Sequence, residues 1–275
     1  MTTIARSRFI GQRWTCGSVT KTGLRHLAQG HAGQDAAYAC RKARPIVLVA
    51  DGRGSSDHSE IGAAAVPDCF ASTVNLNESL VAQCLDMAGL DPALREERWA
   101  QFAQILHRAL VARQEELARA HSLEPVELEF TLAAAVVGTE YVGILQRGDS
   151  SVAIERRLGM ELALPPDRGE FASETSFISP DEGTSTPLGS RILPMGDVTG
   201  LVAFTDGLSQ LWIDARTLAV APGVGRILRN LGDRTWDQQR LDAFLDRPIW
   251  QQCDDDDKGV AYLAMRTSRR PRSRH

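Results

Sequence analysis

The chain has 275 residues, of which 43% are hydrophobic and 24% charged, and its formal net charge is −4. This composition is ordinary for a globular protein, and the charge gives no basic footprint of a nucleic-acid-binding protein. The five cysteines are scattered without a CxxC pair, which argues against a disulfide framework and a zinc site. No apolar run reaches membrane-spanning length, and no signal peptide is recognisable. We therefore expect a cytoplasmic protein that binds neither a membrane nor nucleic acid.

The N-terminal part is polar and rich in glycine, with a strand candidate around 13–19. His26 and Asp35 lie in a predicted strand-turn-strand entry. The apolar run 46–50 is typical of a buried strand, because three of its five residues are Val or Ile. This strand leads into Asp51 and a glycine-rich turn, where backbone and carboxylate can both face a ligand.

The next part of the chain is predicted to be helical. A helix begins at 59–66 with Ser59 as a plausible cap, and Pro67 predicts a kink or an early break. A second helix is expected at 77–87. The clearest helix covers 91–120, where apolar residues recur at helical spacing and predict a core face rather than a cofactor site. These residues are Trp99, Phe102, Leu106, Leu110 and Leu117.

Three β-rich runs follow, at 126–137, 140–146 and 151–156, and short polar turns separate them. This pattern predicts a meander of antiparallel strands. The turn before the third run puts Asp149 at a strand end. Residues 159–194 are rich in Pro, Ser, Thr and Gly, and a segment of this length predicts a functional flap or an insert with short strands.

The strand predicted at 200–205 ends in Asp206–Gly207 and nearly repeats the strand that ends in Asp51. Helices are expected near 223–231 and 235–246. The acidic run 254–257 then leads into the last strand, 259–266.

No internal repeat or interdomain linker interrupts the chain. Its alternating groups of strands and helices predict one α+β domain, residues 1–266, with stacked sheets and helices outside. Residues 267–275 are rich in arginine. We expect them to form a disordered tail rather than a nucleic-acid-binding arm.

Four acidic sites beside four predicted strands indicate a polynuclear metal centre. Mg²⁺ and Mn²⁺ prefer carboxylates, backbone carbonyls and water as ligands. Two such ions a few ångströms apart can lower the pKa of a shared water and hold a phosphoryl group for in-line attack. The run 254–257 could instead be a solvated charge cluster, Asp149 a turn residue and Asp35 a surface residue. These alternatives stay open.

The motifs, in their order along the chain, resemble the metal-dependent protein phosphatases of type 2C, the PPM family. No single motif is specific, but five of them occur in the right order between Trp14 and Met265. The segment from His26 to Asp51 is closer to a divergent bacterial branch of that family. The motifs are Gln34-Asp35-Ala36, Val49-Ala50-Asp51-Gly52, Gly148-Asp149-Ser150, Thr205-Asp206-Gly207 and Asp256-Asp257.

The resemblance implies a four-layer αββα sandwich, in which two packed antiparallel sheets are flanked by helices and the metals lie at one end. Asp51 would bridge two metal ions, and the Gly52 carbonyl would ligate one of them. Asp206 and Asp256 would complete the ligands of the first ion.

Asp35 would contact the second ion mainly through water molecules. Asp149 and Asp206 would together bind a third ion more weakly. The implied cofactors are therefore two or three Mn²⁺ or Mg²⁺ ions. The implied reaction is attack of a metal-activated water on phosphoserine or phosphothreonine, without a covalent phosphoenzyme. The substrate would be a phosphoprotein, and an opposing kinase would be the partner.

The chain departs from the family pattern at four places, one of which is Gly259, where Ser or Thr is common in the last motif. Gln34 stands where an acidic residue is common, and Arg53 stands where eukaryotic members carry a histidine that is a candidate general acid. The usual phosphate-binding arginine is absent, since Gly30–His31 occupies its place. His26, Arg25 and Arg53 are candidate substitutes, and His26 and Arg53 are the catalytic residues that we predict. A structural, hydrogen-bonded role for His26 is the alternative.

We expect a Mn²⁺- or Mg²⁺-dependent serine/threonine phosphatase. The departures leave open a pseudophosphatase that binds phosphoproteins without turnover. A hydrolase of small phosphate esters is a third possibility. The physiological substrate, the metal used and the oligomeric state are beyond the sequence.

Overall fold

Two antiparallel sheets of five strands each form the centre of the protein. A computed structural model describes residues 13–167, 175–180 and 188–266, and the statements below refer to these residues. The strands in chain order are β1 (Trp14–Lys21), β2 (Asp35–Cys40), β3 (Ile46–Asp51), β4 (Leu132–Val137), β5 (Tyr141–Arg147), β6 (Ser151–Arg156), β7 (Gly159–Leu162), β8 (Gly189–Pro194), β9 (Val198–Phe204) and β10 (Lys258–Met265).

Eight α-helices lie among the described residues, together with the short 3₁₀ helices Pro125–Leu128 and Asp206–Leu208. The α-helices are α1 (Leu24–Gln29), α2 (Ser59–Leu76), α3 (Glu78–Asp86), α4 (Pro92–His121), α5 (Ser209–Trp212), α6 (Pro222–Gly232), α7 (Gln238–Leu245) and α8 (Pro248–Cys253).

The first sheet has the strand order β1-β10-β9-β6-β7 and the second β2-β3-β4-β5-β8. The strand β3 shows how the layers stack, because its side chains alternate between two cores. Val47 and Val49 pack between the sheets with Leu263 of β10, whereas Leu48 faces the helical layer that contains Phe70 of α2. This double burial explains why β3 is a continuous apolar run.

Helices cover both outer faces of the stacked sheets. Trp99 and Phe102 of α4 belong to the core against the second sheet, and Leu228 of α6 and Leu241 of α7 belong to the core against the first. The predicted four-layer αββα sandwich is confirmed. The core face predicted for α4 is confirmed at Trp99, Phe102, Leu106 and Leu110, which are buried, whereas Leu117 is half-buried. The helix α4 begins after Asp91, whose side chain accepts a hydrogen bond from the Leu94 N–H.

The predicted meander is wrong at β6. The strands β4 and β5 pair with each other, but β6 pairs with β7 and β9 in the other sheet. The chain changes sheets at the turn after β5, where Gly148 has a φ of 85° that favours glycine. The run predicted as a strand from residue 126 is also wrong at its start, because Pro125 begins a 3₁₀ helix that Glu124 and Glu127 cap.

Pro67 neither breaks nor ends α2, which continues to Leu76. The helix loses one backbone hydrogen bond there, but Phe70 and Val74 beyond the proline are fully buried in the core. Packing of these side chains therefore outweighs the lost bond. The helix cap is His58 rather than Ser59, and His26 lies in α1 rather than in a strand-turn-strand entry.

The segment predicted as a flap or an insert contains the short strands β7 and β8, and Ile178 forms a bridge with Phe130. Residues 168–174, 181–187 and the tail 267–275 lie outside the described residues. The single domain over residues 1–266 stays a prediction. No helix among the described residues is long and apolar enough to cross a membrane.

Candidate metal centre

The predicted acidic residues lie at the same end of the sandwich because each lies at or beside a strand end. Among the described residues, Asp51, Asp149 and Asp206 form a group with metal-ligand spacing, and Asp35 and Asp256 lie outside that group. Asp35 begins β2 and Asp51 ends β3, and the two are paired in register. Asp206 follows β9, Asp256 precedes β10, and Asp149 lies in the turn between β5 and β6. Since β2 and β3 belong to one sheet and β9 and β10 to the other, the stacking of the sheets brings these ends together.

The carboxylates are close enough to repel one another. Oxygen atoms of Asp51, Asp149 and Asp206 lie within 4.8 Å of each other. Burial raises the pKa of Asp51, and the charges of Asp35 and Asp206 raise it further. Burial, followed by the charges of Asp149 and Asp256, raises the pKa of Asp206 to about 7. A divalent cation would remove this repulsion, so the donor set fits a hard metal ion.

The backbone at Gly52 supplies a further oxygen. The Gly52 N–H donates to the Gln34 carbonyl at 3.1 Å. The return bond of such an antiparallel pair would run from the Gln34 N–H to the Gly52 carbonyl. That N–H donates instead to the buried Asp257 carboxylate, which leaves the Gly52 carbonyl available to a metal. A Cβ at position 52 would lie 2.6 Å from the Ser59 hydroxyl, so any larger residue would displace Ser59.

Asp35 is held from the opposite sheet. Its Oδ2 accepts a hydrogen bond from the Thr205 hydroxyl at 2.7 Å, and that hydroxyl accepts one from the Gly259 N–H at 2.8 Å. Its Oδ1 is buried and accepts no hydrogen bond from the described residues. A buried oxygen with no donor is costly unless a water or a cation fills the place, so Asp35 also fits a metal centre.

The acidic run before β10 divides into two roles. Asp256 is partly exposed, and its Oδ1 accepts a hydrogen bond from Arg25 at 2.8 Å. Asp257 is buried and accepts hydrogen bonds from the Gly23 and Gln34 N–H groups, and its Oδ2 lies 3.0 Å from His26 Nδ1. The run alone did not reveal that Asp257 connects β10 to α1 and to the start of β2. The group His26, Asp256 and Asp257 also has metal-ligand spacing, but these contacts already occupy Asp257.

The two predicted catalytic residues have different surroundings. His26 is buried in α1 beside Asp257. Arg53 lies at the surface and is paired with Glu129, with 2.6 Å between Nη1 and Oε2. Arg25 is more open than His26, and its Nη2 would lie 3.2 Å from a Cβ at Gly54 in the turn after Asp51. Of Arg25, His26 and Arg53, it is therefore Arg25 that contacts both a predicted ligand, Asp256, and the turn that carries Gly52. The catalytic roles of His26 and Arg53 stay predictions.

The Gln34 side chain is bonded through its amide nitrogen, whereas its buried Oε1 accepts no hydrogen bond from the described residues. Its Nε2 donates to the Ser56 carbonyl at 2.6 Å, a bond that a glutamate carboxylate cannot make. We expect Gln34→Glu to lower the free energy of unfolding of the metal-free protein by about 1–3 kcal/mol, because two oxygens would then face each other without a proton. Urea unfolding in the presence of a chelator measures this change, with the exposed Gln29→Glu as the control. A stability equal to that of the unsubstituted protein would contradict the prediction.

Comparisons with known proteins agree with this geometry. The profile of the protein phosphatase 2C family matches residues 22–246. Serine/threonine-protein phosphatase 3 of Escherichia coli (strain K12) is 25% identical over 221 residues, which cover 78% of this chain and 81% of that protein.

Solved structures give the same result for the fold. The catalytic domain of the serine threonine protein phosphatase PstP, in complex with two manganese ions, superposes with a TM-score of 0.58 at 14% identity, over 92% of this chain and 99% of that one. Stp1 from Staphylococcus aureus superposes with a TM-score of 0.57 at 15% identity, over 92% and 96%. The fold, the order of the acidic motifs and the matched profile agree, and the chain belongs to the protein phosphatase 2C family.

Proposed function

We propose that this protein is a Mn²⁺- or Mg²⁺-dependent phosphatase that hydrolyses phosphoserine and phosphothreonine in proteins. The observation that carries the proposal is the convergence of Asp51, Asp149 and Asp206 within 4.8 Å at the end of the sandwich. Membership of the protein phosphatase 2C family supports it, as does the name of the E. coli relative.

The proposed ligands are those that the resemblance to the family implies, and the closeness of Asp51 to Asp206 and the two manganese ions in the PstP structure support them. Asp51 would hold both ions, the Gly52 carbonyl would ligate one, and Asp206 and Asp256 would complete the first. Bound divalent ions polarise the phosphoryl oxygens and lower the pKa of water. Asp35 would contact the second ion through water molecules.

Asp149 has a separate place in the proposal. With Asp206 it would hold a third, weaker ion. The Thr175 hydroxyl donates to Asp149 Oδ2 at 2.9 Å, so the third site would involve the segment that follows β7.

The remaining polar residues would bind the phosphate and hold the surrounding backbone. The Arg25 guanidinium, between Asp256 and the turn at Gly54, is suited to a phosphate oxygen because its donors form a planar fork. Arg53 donates to Ser55 and Glu129 and would keep the turn after Asp51 in shape. His26 would orient Asp257 through its Nδ1. The catalytic roles predicted for His26 and Arg53 remain part of the proposal.

The proposal is tested by hydrolysis of a phosphothreonine peptide by the purified protein, with Mn²⁺, with Mg²⁺ and with chelator. We expect turnover with a metal and none with chelator. p-Nitrophenyl phosphate, assayed in parallel, distinguishes a protein phosphatase from a hydrolase of small phosphate esters, since the first should prefer the peptide. Hydrolysis that continues in chelator would contradict a metal-dependent enzyme.

A pseudophosphatase is the second candidate, and Gln34 favours it. Its neutral amide stands where family members often carry a negative charge near the second metal. Such a protein would bind the phosphothreonine peptide without releasing phosphate in any metal. The proposal also includes a cytoplasmic location and an opposing kinase, for which family membership is the support.

A further inference from the structure

Lys258 is a fully buried lysine directly after the acidic run, at the first position of β10. Its Nζ donates to the backbone carbonyls of Asp254 at 2.9 Å and Asp256 at 2.7 Å. Burying an ammonium group is costly unless hydrogen bonds replace its water. The two carbonyls supply those bonds, so the backbone of the acidic run is folded around the lysine.

These bonds restrict the direction in which Asp256 points. Two further bonds close the same turn, from the Asp256 N–H to Asp254 Oδ1 at 3.0 Å and from the Asp257 N–H to Asp256 Oδ1 at 2.9 Å. With its peptide planes fixed in this way, the turn holds the Asp256 carboxylate in one orientation, in which its Oδ1 also accepts a hydrogen bond from Arg25.

The stem of the same lysine lies against the segment that carries Asp206. A Cβ on Gly207 would lie 3.4 Å from Lys258 Cγ and would overlap the Asp257 carbonyl. The Asp206–Gly207 backbone is therefore packed directly on Asp257 and Lys258. One side chain thus contacts both acidic segments, through its ammonium group on one side and its methylenes on the other.

We propose that Lys258 is a positioning residue for the proposed metal centre, which holds the segment that carries Asp256 against the segment that carries Asp206. The inference deepens the proposed function, because it rests on the metal site but not on turnover. Groups that orient metal ligands typically change metal affinity by about 10- to 100-fold when they are removed.

The test compares two buried cations that cap backbone carbonyls. Arg95 is the matched control, because it is buried and donates to the carbonyls of Cys84, Met87 and Leu90, none of which belongs to the acidic segments. Calorimetric titration of metal-stripped protein with Mn²⁺ measures the affinity without substrate. We expect Lys258→Met to bind Mn²⁺ about 10- to 100-fold more weakly. Arg95→Met should have a lower melting temperature and unchanged Mn²⁺ affinity.

Two further substitutions of Lys258 complete the experiment. Lys258→Arg keeps a cation with several donors and is expected to recover most of the Mn²⁺ affinity. Lys258→Gln, whose amide is too short to reach both carbonyls, should show the same loss as Lys258→Met and replaces that variant if it does not fold.

A Lys258→Met or Lys258→Gln protein with a lower melting temperature but full Mn²⁺ affinity would overturn the inference, since Lys258 would then be purely structural. Failure of the proposed function gives a different result, in which the unsubstituted protein binds Mn²⁺ but releases no phosphate from the peptide. If the unsubstituted protein bound no Mn²⁺, both would be overturned.

Discussion

Asp51→Asn is expected to lose metal-dependent hydrolysis of the phosphothreonine peptide while the protein stays folded. The carboxylate at this position can ligate two ions at once, whereas an amide offers one weaker oxygen. A metal site supplies several kcal/mol of transition-state stabilisation, so we expect kcat/KM to fall by about a thousandfold or more.

The same substitution should stabilise the metal-free protein. Burial and the charges of Asp35 and Asp206 raise the pKa of Asp51, so a neutral amide removes repulsion that only a cation would otherwise relieve. Thermal unfolding in chelator measures this gain, and phosphate release measures the loss of activity. A protein that is more stable without metal, and inactive with it, cannot be explained by unfolding.

Asp68→Asn is the control for this experiment, because Asp68 is exposed on α2 and takes no part in the acidic cluster. It should change neither activity nor metal-free stability. If Asp51→Asn kept substantial metal-dependent turnover, Asp51 would not bridge the ions, and the ligand assignment would have to be revised.

The stability of the metal-free protein is expected to fall as pH rises from about 4 to about 7. An aspartate in an unfolded chain has a pKa of about 3.9, whereas burial and the neighbouring charges raise the pKa of Asp206 to about 7 in the folded protein. Between these values the folded protein holds a proton that the unfolded chain has already released. The stabilisation that protonated Asp206 gives the folded protein is therefore fully present below pH 4 and is lost as pH rises through the folded pKa.

The size of the effect follows from that shift. A difference of about three pKa units corresponds to at most about 4 kcal/mol for one group. The raised pKa values of Asp35 and Asp51 act in the same direction. Unfolding by urea at pH 5 and pH 8, in chelator, measures the loss.

Two additions make this result specific to the metal centre. Mn²⁺ at pH 8 should restore the lost stability, because it binds the folded form with its carboxylates ionised. Asp206→Asn should reduce the pH dependence, since one of the carboxylates with a raised pKa no longer titrates. A metal-free stability that stays level or rises between pH 5 and pH 8 would show that the carboxylates do not repel one another in the folded protein.

The sequence predicted the strands and the main helices well because their signals are local. The strand β3 was recognisable as an apolar run, and α4 by its spacing and by the Asp91 cap. Of the kink or early break predicted at Pro67, the break is wrong, because helix propensity is local whereas the burial of Phe70 and Val74 depends on the sheet beneath them. The wrong meander prediction at β6 has the same cause. The composition of β6 is that of a strand, but its partner strands depend on the packing of the whole chain.

The candidate metal centre was predictable in part. The sequence predicts the ligand types and their positions at strand ends, and the resemblance to a known family assigned a role to each ligand. The different roles of Asp256 and Asp257 within the acidic run were not predictable. Asp256 and Asp257 are chemically identical neighbours, and only their contacts with Arg25 and with Gln34 distinguish them.

By itself, the sequence determined the family, the layered fold and the set of carboxylates that can bind metal. The tertiary structure decided which groups satisfy one another. Gln34 gives its N–H to Asp257, 223 positions away, and thereby frees the Gly52 carbonyl. Lys258 is an ordinary basic residue in the sequence, and only burial makes it bind the backbone of Asp254 and Asp256. Contacts of this kind depend on the packing of two sheets, because that packing removes the water that would otherwise satisfy each group.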